Sequence, residues 1–178
     1  MKTELANLVK ILQLAYSGEL AAGYAYRGHW RSTREENIRA RIQQIEEEEW
    51  HHRRLVGEML NKLGYGPDKL REWRAGWTGR VLGILCHVMG KLTPFYAAGK
   101  LESRNIREYE AAARYAAQSG NPEFIDCLLT MAEVEWEHEK YFRSCVENHP
   151  FGPMIRMWPS PPPKETIRSS FQSEISKL

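Results

Sequence analysis

The sequence has little cysteine, no long hydrophobic run and almost no net charge, and each shortage closes off a class of function. Cys86, Cys127 and Cys145 are the only cysteines among 178 residues. Their odd number and the lack of a CxxC pair argue against a disulfide framework and for a reducing compartment. The most apolar stretch, Val81 to Met89, is about half of the ~20 residues that a membrane-spanning helix needs. A net charge of +2 offers no basic surface to nucleic acid. Lys and Arg are interspersed with Glu along helical faces, the pattern of solvated surface. Met1 to Glu4 leads straight into an amphipathic pattern with no signal-peptide core. These features predict a cytoplasmic globular domain with no nucleic-acid partner, and they leave open a peripheral contact with the inner face of a membrane.

Helical periodicity is what the chain does have, with no alternating strand pattern. A first helix is expected from about Leu5 to Trp30, with Leu5, Leu8, Leu12, Ala15, Glu19, Ala22 and Tyr26 on one stripe. A second follows Ser32-Thr33 and carries Ile38, Ile42, Ile45, Glu49, His52, Val56, Met59 and Leu63. Its alternating steps of four and three are those of a bundle seam. Gly64 to Pro67 should end it. Residues 67–92 read as a long crossover with a helical stretch of its own, and Pro94 as a kink or restart. A third bundle helix places Phe95, Gly99, Glu102, Ile106, Tyr109 and Ala113 on its stripe. A fourth, from about Glu123 to Asn148, aligns Phe124, Leu128, Met131, Glu135, His138, Phe142 and Cys145. The expected fold is therefore all-α, a ferritin-like four-helix bundle over 1–148 with a long crossover between helices 2 and 3. A Pro-rich tail, 149–178, should lie extended over the surface.

Each stripe is apolar except at one place: Glu19, Glu49 with His52, Glu102, and Glu135 with His138. A carboxylate on an apolar seam is costly unless it is paired or ligates a metal. Two lone Glu residues plus two Glu-x-x-His pairs form the ligand set of di-iron and di-manganese carboxylate bundles. Oxygen and imidazole donors suit iron, with manganese as the alternative, whereas zinc would more often recruit the cysteines. Glu48 and His51 have the same spacing, but their stripe includes Arg41 and Gln44 and should face water. Glu47, Glu108, Glu110, Glu137 and Glu139 also fall off the seams and read as solvated charges. Trp50 and Trp136, which follow the two repeated Glu residues, are expected to pack between helices, with electron transfer as the alternative. Tyr26 and Tyr109 sit two turns after Glu19 and Glu102 and could line a substrate channel or fill the core. His29, His51 and His87 read as structural or exposed.

These motifs resemble the demethoxyubiquinone hydroxylase family, ferritin-like di-iron monooxygenases of quinone biosynthesis. The resemblance is carried by Gly18-Glu19 with Ala22, Tyr26 and Gly28, by the separation of Glu19 from Glu49, and by the long crossover before Glu102. Tyr109, two turns after Glu102, and the final pair Glu135 and His138 complete it, over roughly residues 10–146. The resemblance implies two irons held by Glu19, Glu49, His52, Glu102, Glu135 and His138, with Glu49 and Glu135 as bridges and Tyr109 near a quinone. It implies O2, a quinone-like or other apolar substrate and an external electron donor as partners. Two copies could pair through their outer faces. Where the family has a His before its tyrosine, this chain has Glu108, and His29 replaces a glutamine. The crossover is rich in Arg and Trp (Arg71, Trp73, Arg74, Trp77, Arg80). The apolar face from Trp77 to Phe95 is expected to be buried in the core, with rest on a membrane as the alternative. Met131 to His138 is also similar to the last helix of rubrerythrins, which would imply a peroxidase. A third reading is ferritin-like iron binding or storage without turnover.

Overall fold

A computed structural model describes residues 2–176. Among them there are six α-helices and no strand: α1 Lys2–Ser32, α2 Glu36–Lys62, α3 Lys69–Leu85, α4 Leu92–Gln118, α5 Ile125–Glu147 and α6 Glu165–Ile175. The all-α helical fold expected from the periodicity is the one observed. The helix ends follow from local chemistry. Gly64 has φ +77°, and Tyr65 N–H bonds back to the Leu60 carbonyl at 2.9 Å. Gly120 repeats the device at the end of α4, with φ +79° and Asn121 N–H bonded to the Ala116 carbonyl at 2.9 Å. Only glycine takes that left-handed conformation without a steric penalty, so these two residues set where the helices stop. Pro94 lies in the first turn of α4, where its missing N–H costs nothing, so it marks a restart and not a kink.

The described residues gather into two compact units, Leu12–Pro94 and residues 2–11 with 95–176. In the first unit, Glu46 of α2 is buried and accepts from Arg27 Nε at 2.7 Å, Trp30 Nε1 at 2.7 Å and Trp50 Nε1 at 3.0 Å. Three donors offset the cost of taking this carboxylate out of water. Trp50 also meets Tyr24 edge-on at 5.5 Å, so it packs between α1 and α2 as the sequence suggests. The crossover helix α3 is capped by Asp68, whose carboxylate accepts from the N–H groups of Leu70 and Arg71. Its packing inverts the expectation for its apolar face. The only buried residues on α3 are Gly76, Gly79 and Gly83, which let its backbone approach that of α1. Trp73, Trp77, Val81, Leu82, Ile84, Leu85, Val88 and Met89 are exposed, with Ile84 at 69% and Val88 at 77%.

In the second unit the tail departs from an extended strap. After Asn148 the chain makes a 3-10 turn at Gly152–Met154, runs without regular structure to Pro163, and then forms α6. Ile167 and Phe171 are buried, and Arg168 ties α6 to α5 through Glu133 and Asp126, each at 2.7 Å. Those two apolar anchors explain why a helix forms where the proline run had masked one. Trp136 also holds the tail: its Nε1 donates to the Pro162 carbonyl at 2.8 Å.

His29, near the end of α1, is buried, and burial pushes its pKa down from 6.5 to about 4. It is therefore a structural residue. Between those two values the unfolded chain binds a proton that the folded chain does not, so stability falls as pH drops from 6.5 to about 4. At 1.36 kcal/mol per pKa unit the loss should reach about 3 kcal/mol. Urea unfolding at both ends of that window should show this loss in the native chain and its near absence in His29→Gln. Equal pH slopes for the two proteins would refute the assignment.

Candidate metal centre

Six of the seam residues are carboxylates or imidazoles, and all six are buried: Glu19, Glu49, His52, Glu102, Glu135 and His138. Glu19 lies on α1, Glu49 and His52 on α2, Glu102 on α4, and Glu135 and His138 on α5. The i,i+3 spacing puts each Glu and His of a pair on one helix face. On α5 the two meet, with Glu135 Oε2 3.4 Å from His138 Nδ1. Two donors each about 2 Å from one cation lie some 3–4 Å apart, so this gap suits a shared ion.

Donor atoms of Glu19, Glu49, His52 and Glu135 all lie within 4.8 Å of one another, and so do those of Glu49, Glu102, Glu135 and His138. Each group brings three carboxylates together; in a dry interior they repel one another strongly, and a bound cation would remove that cost. The donor set therefore fits a metal ion, and this buried Glu/His cluster can hold one. The cysteines belong to neither group, and burial pushes the Cys86 thiol up to about 11, keeping it protonated and a poor ligand.

The residues set aside on register stay out of the cluster. His51 is exposed, and Glu48 bonds Arg41 and Gln44 on its own helix. Glu108 is paired with Arg104 at 2.6 Å. Glu139 is the exception. It was expected to be solvated, yet it is fully buried, with Arg143 at 2.6 Å and Trp158 Nε1 at 2.7 Å. Asn105 was not singled out by the sequence; its Nδ2 donates to Glu102 Oε2 at 2.8 Å. Its spacing of three from Glu102 was the one available signal. Tyr26 and Tyr109 are 3% and 2% exposed, too buried to be surface residues.

Fold and cluster define a class: an all-α protein whose helices carry buried carboxylate and histidine donors suited to a metal. The particular family follows. The chain belongs to the ubiquinone biosynthesis protein COQ7 family, whose model matches residues 6–138. This is the family the motifs resemble, and the match takes in all six candidate donors. No curated protein and no solved structure matches the chain.

Proposed function

We propose that the chain is a di-iron hydroxylase using O2 to oxidise a quinone-like substrate of ubiquinone biosynthesis. Membership of the COQ7 family points to a hydroxylase of that pathway. The observation that carries the dinuclear reading is that Glu49 and Glu135 belong to both groups of neighbouring donors. Shared between two ions, they would leave Glu19 and His52 to hold one and Glu102 and His138 to hold the other. Four ionised carboxylates carry four negative charges, which two divalent cations balance. Oxygen and imidazole donors favour iron, with manganese as the alternative.

When bound, the two irons supply the activation of O2 that hydroxylation requires, with electrons from an external donor. The chain's own residues do the rest. Burial of all six ligands keeps bulk water from the reacting centre. The Asn105 amide fixes the rotation of the Glu102 carboxyl group, as second-sphere partners do at metal sites. Tyr26 and Tyr109 are assigned to the substrate space, where a phenol can donate a hydrogen bond to a quinone oxygen.

Anaerobic loading with Fe(II), followed by isotopically labelled O2 and a short-chain demethoxyquinol, tests this reading. The expected result is two irons per chain and one labelled oxygen in the product. A chain that takes up no iron or manganese would sink it. Oxidation of the loaded protein by peroxide but not by O2 would favour a peroxidase, and uptake well beyond two irons a storage role.

No helix among the described residues is long and apolar enough to cross a membrane. The exposed face of α3 instead suits rest on a membrane surface, where an apolar substrate would be dissolved. Trp73 and Trp77 are 63% and 57% exposed, and Lys69, Arg71, Arg74 and Arg80 share the helix. Indoles with interspersed cations are the composition of an interfacial helix. A groove of about 500 Å³ between α1 and α3, lined by Leu14, Ala21, Leu70 and Ala75 together with Asp68 and Arg74, lies beside that face. Replacing Trp73 and Trp77 together by Glu should weaken binding to anionic phospholipid vesicles more than tenfold, since each buried indole contributes about 2 kcal/mol or more. Unchanged sedimentation with vesicles would rule this face out.

A further inference from the structure

Glu139, Arg143 and Trp158 form a buried joint that neither the metal-ligand motif nor the family match accounts for. Trp158 lies in the tail, beyond the matched residues 6–138, yet it is only 5% exposed. Its Nε1 donates to Glu139 Oε1 at 2.7 Å. The Arg143 guanidinium lies 4.7 Å from the Trp158 ring centroid, pairs with Glu139 at 2.6 Å and donates to the Trp158 carbonyl at 3.2 Å. On the other side the indole fits over Gly99 of α4. A Cβ built there would stand 2.4 Å from the ring, and 3.1 Å from the Phe142 Cβ of α5. Tyr96, one turn earlier, meets the indole edge-on at 5.2 Å.

The position of this joint gives it meaning. Gly99 is one turn before Glu102 on α4. Glu139 directly follows His138 on α5, and Phe142 is one turn beyond it. Trp158 thus touches both helices beside the places where they present three of the six ligands. We propose that Trp158 is a positioning residue: with Glu139 and Arg143 it locks α4 against α5 so that Glu102, Glu135 and His138 are held ready for metal. Without the wedge, α4 and α5 can shift by fractions of an ångström, which a close-packed core otherwise resists. Metal sites are sensitive to such displacements because their ligands must be preorganised.

The inference rests on the metal reading above, and its test separates the two. Co(II) titration, followed by visible absorption, gives stoichiometry and affinity for the native chain, Trp158→Phe, Gly99→Ala and Arg168→Ala. Trp158→Phe keeps a ring but loses the N–H to Glu139. Gly99→Ala pushes the indole away from the opposite side, although Ala is the better helix former. Both should bind Co(II) about tenfold or more weakly, in the range typical when partners of metal ligands are lost. Both should keep the native helical circular dichroism and should show an altered Co(II) spectrum. Arg168→Ala loosens the tail at α6 but not at the joint, so it should lower the melting temperature and leave affinity unchanged. Native affinity in Trp158→Phe and Gly99→Ala, or equal weakening by Arg168→Ala, would overturn the positioning role while leaving the metal site standing. A native chain that binds no Co(II) would overturn both.

Discussion

Glu135→Ala is expected to empty the whole metal centre while leaving the metal-free chain folded. Glu135 is one of the two residues common to both groups of donors, so on the proposed dinuclear reading its loss would take an oxygen ligand from each ion. A change at a terminal residue such as Glu19 or Glu102 touches one group only. Iron uptake should fall from two per chain to well under one. Metal that binds only the folded state, at a hundred times its dissociation constant, stabilises by about 2.7 kcal/mol. For a chain of this size that is roughly 5–10 °C in melting temperature. The native chain should show this rise on loading and Glu135→Ala should not. The metal-free variant should melt near or above the metal-free native chain. It loses one of four crowded carboxylates and gains helix propensity, against the cost of a small cavity. Glu48→Ala is the matched control, since Glu48 has the same spacing to His51 but lies outside the cluster; it should load and melt as the native chain does. Two irons bound by Glu135→Ala would contradict the bridging assignment.

Gly28→Ala should detach α3 or unfold the Leu12–Pro94 unit. In most exposed helical positions Gly→Ala stabilises by up to about 1 kcal/mol. Here the added Cβ would stand 2.2–2.4 Å from the Cα, C and O of Gly83. Those are backbone atoms and cannot rotate away as a side chain can. Gly79 is in the same situation, its Cβ falling 2.4 Å from the Ala21 carbonyl oxygen. Overpacking of this kind costs about 1–3 kcal/mol or more, so the sign reverses. The chain should lose at least about 2 kcal/mol in urea unfolding, or α3 should become sensitive to protease in an otherwise folded protein. Gly18→Ala, where the Cβ would meet nothing within 4 Å, should be neutral or stabilising. A stabilised Gly28→Ala would mean that α3 does not lie this close to α1.

The seams that carry the candidate donors were legible because the fold depends on helical period and those Glu and His residues violate it. Glu49 falls on a stripe with Ile42, Ile45 and Val56, and only burial could make that pattern. The same register separated Glu49 and His52 from Glu48 and His51, which differ by a single position. It failed for Glu139, whose burial depends on Arg143 and on Trp158, nineteen residues away. Glu46 was missed for a similar reason: two of its three donors, Arg27 and Trp30, come from α1. A carboxylate satisfied by groups from another segment leaves no local signal.

What the sequence determined by itself was therefore periodic: four long helices, their stops at Gly64 and Gly120, and the order in which Glu and His interrupt the seams. What only the tertiary structure decided was which partner each surface meets. On α3 the apolar residues point outward and the glycines inward, because close approach of two backbones governs that contact and apolar area does not. In the tail, a helix forms after the proline run because Ile167 and Phe171 find burial, and an indole reaches Gly99. Such contacts join residues far apart in the chain, so shape and distance fix them, and no local pattern carries either.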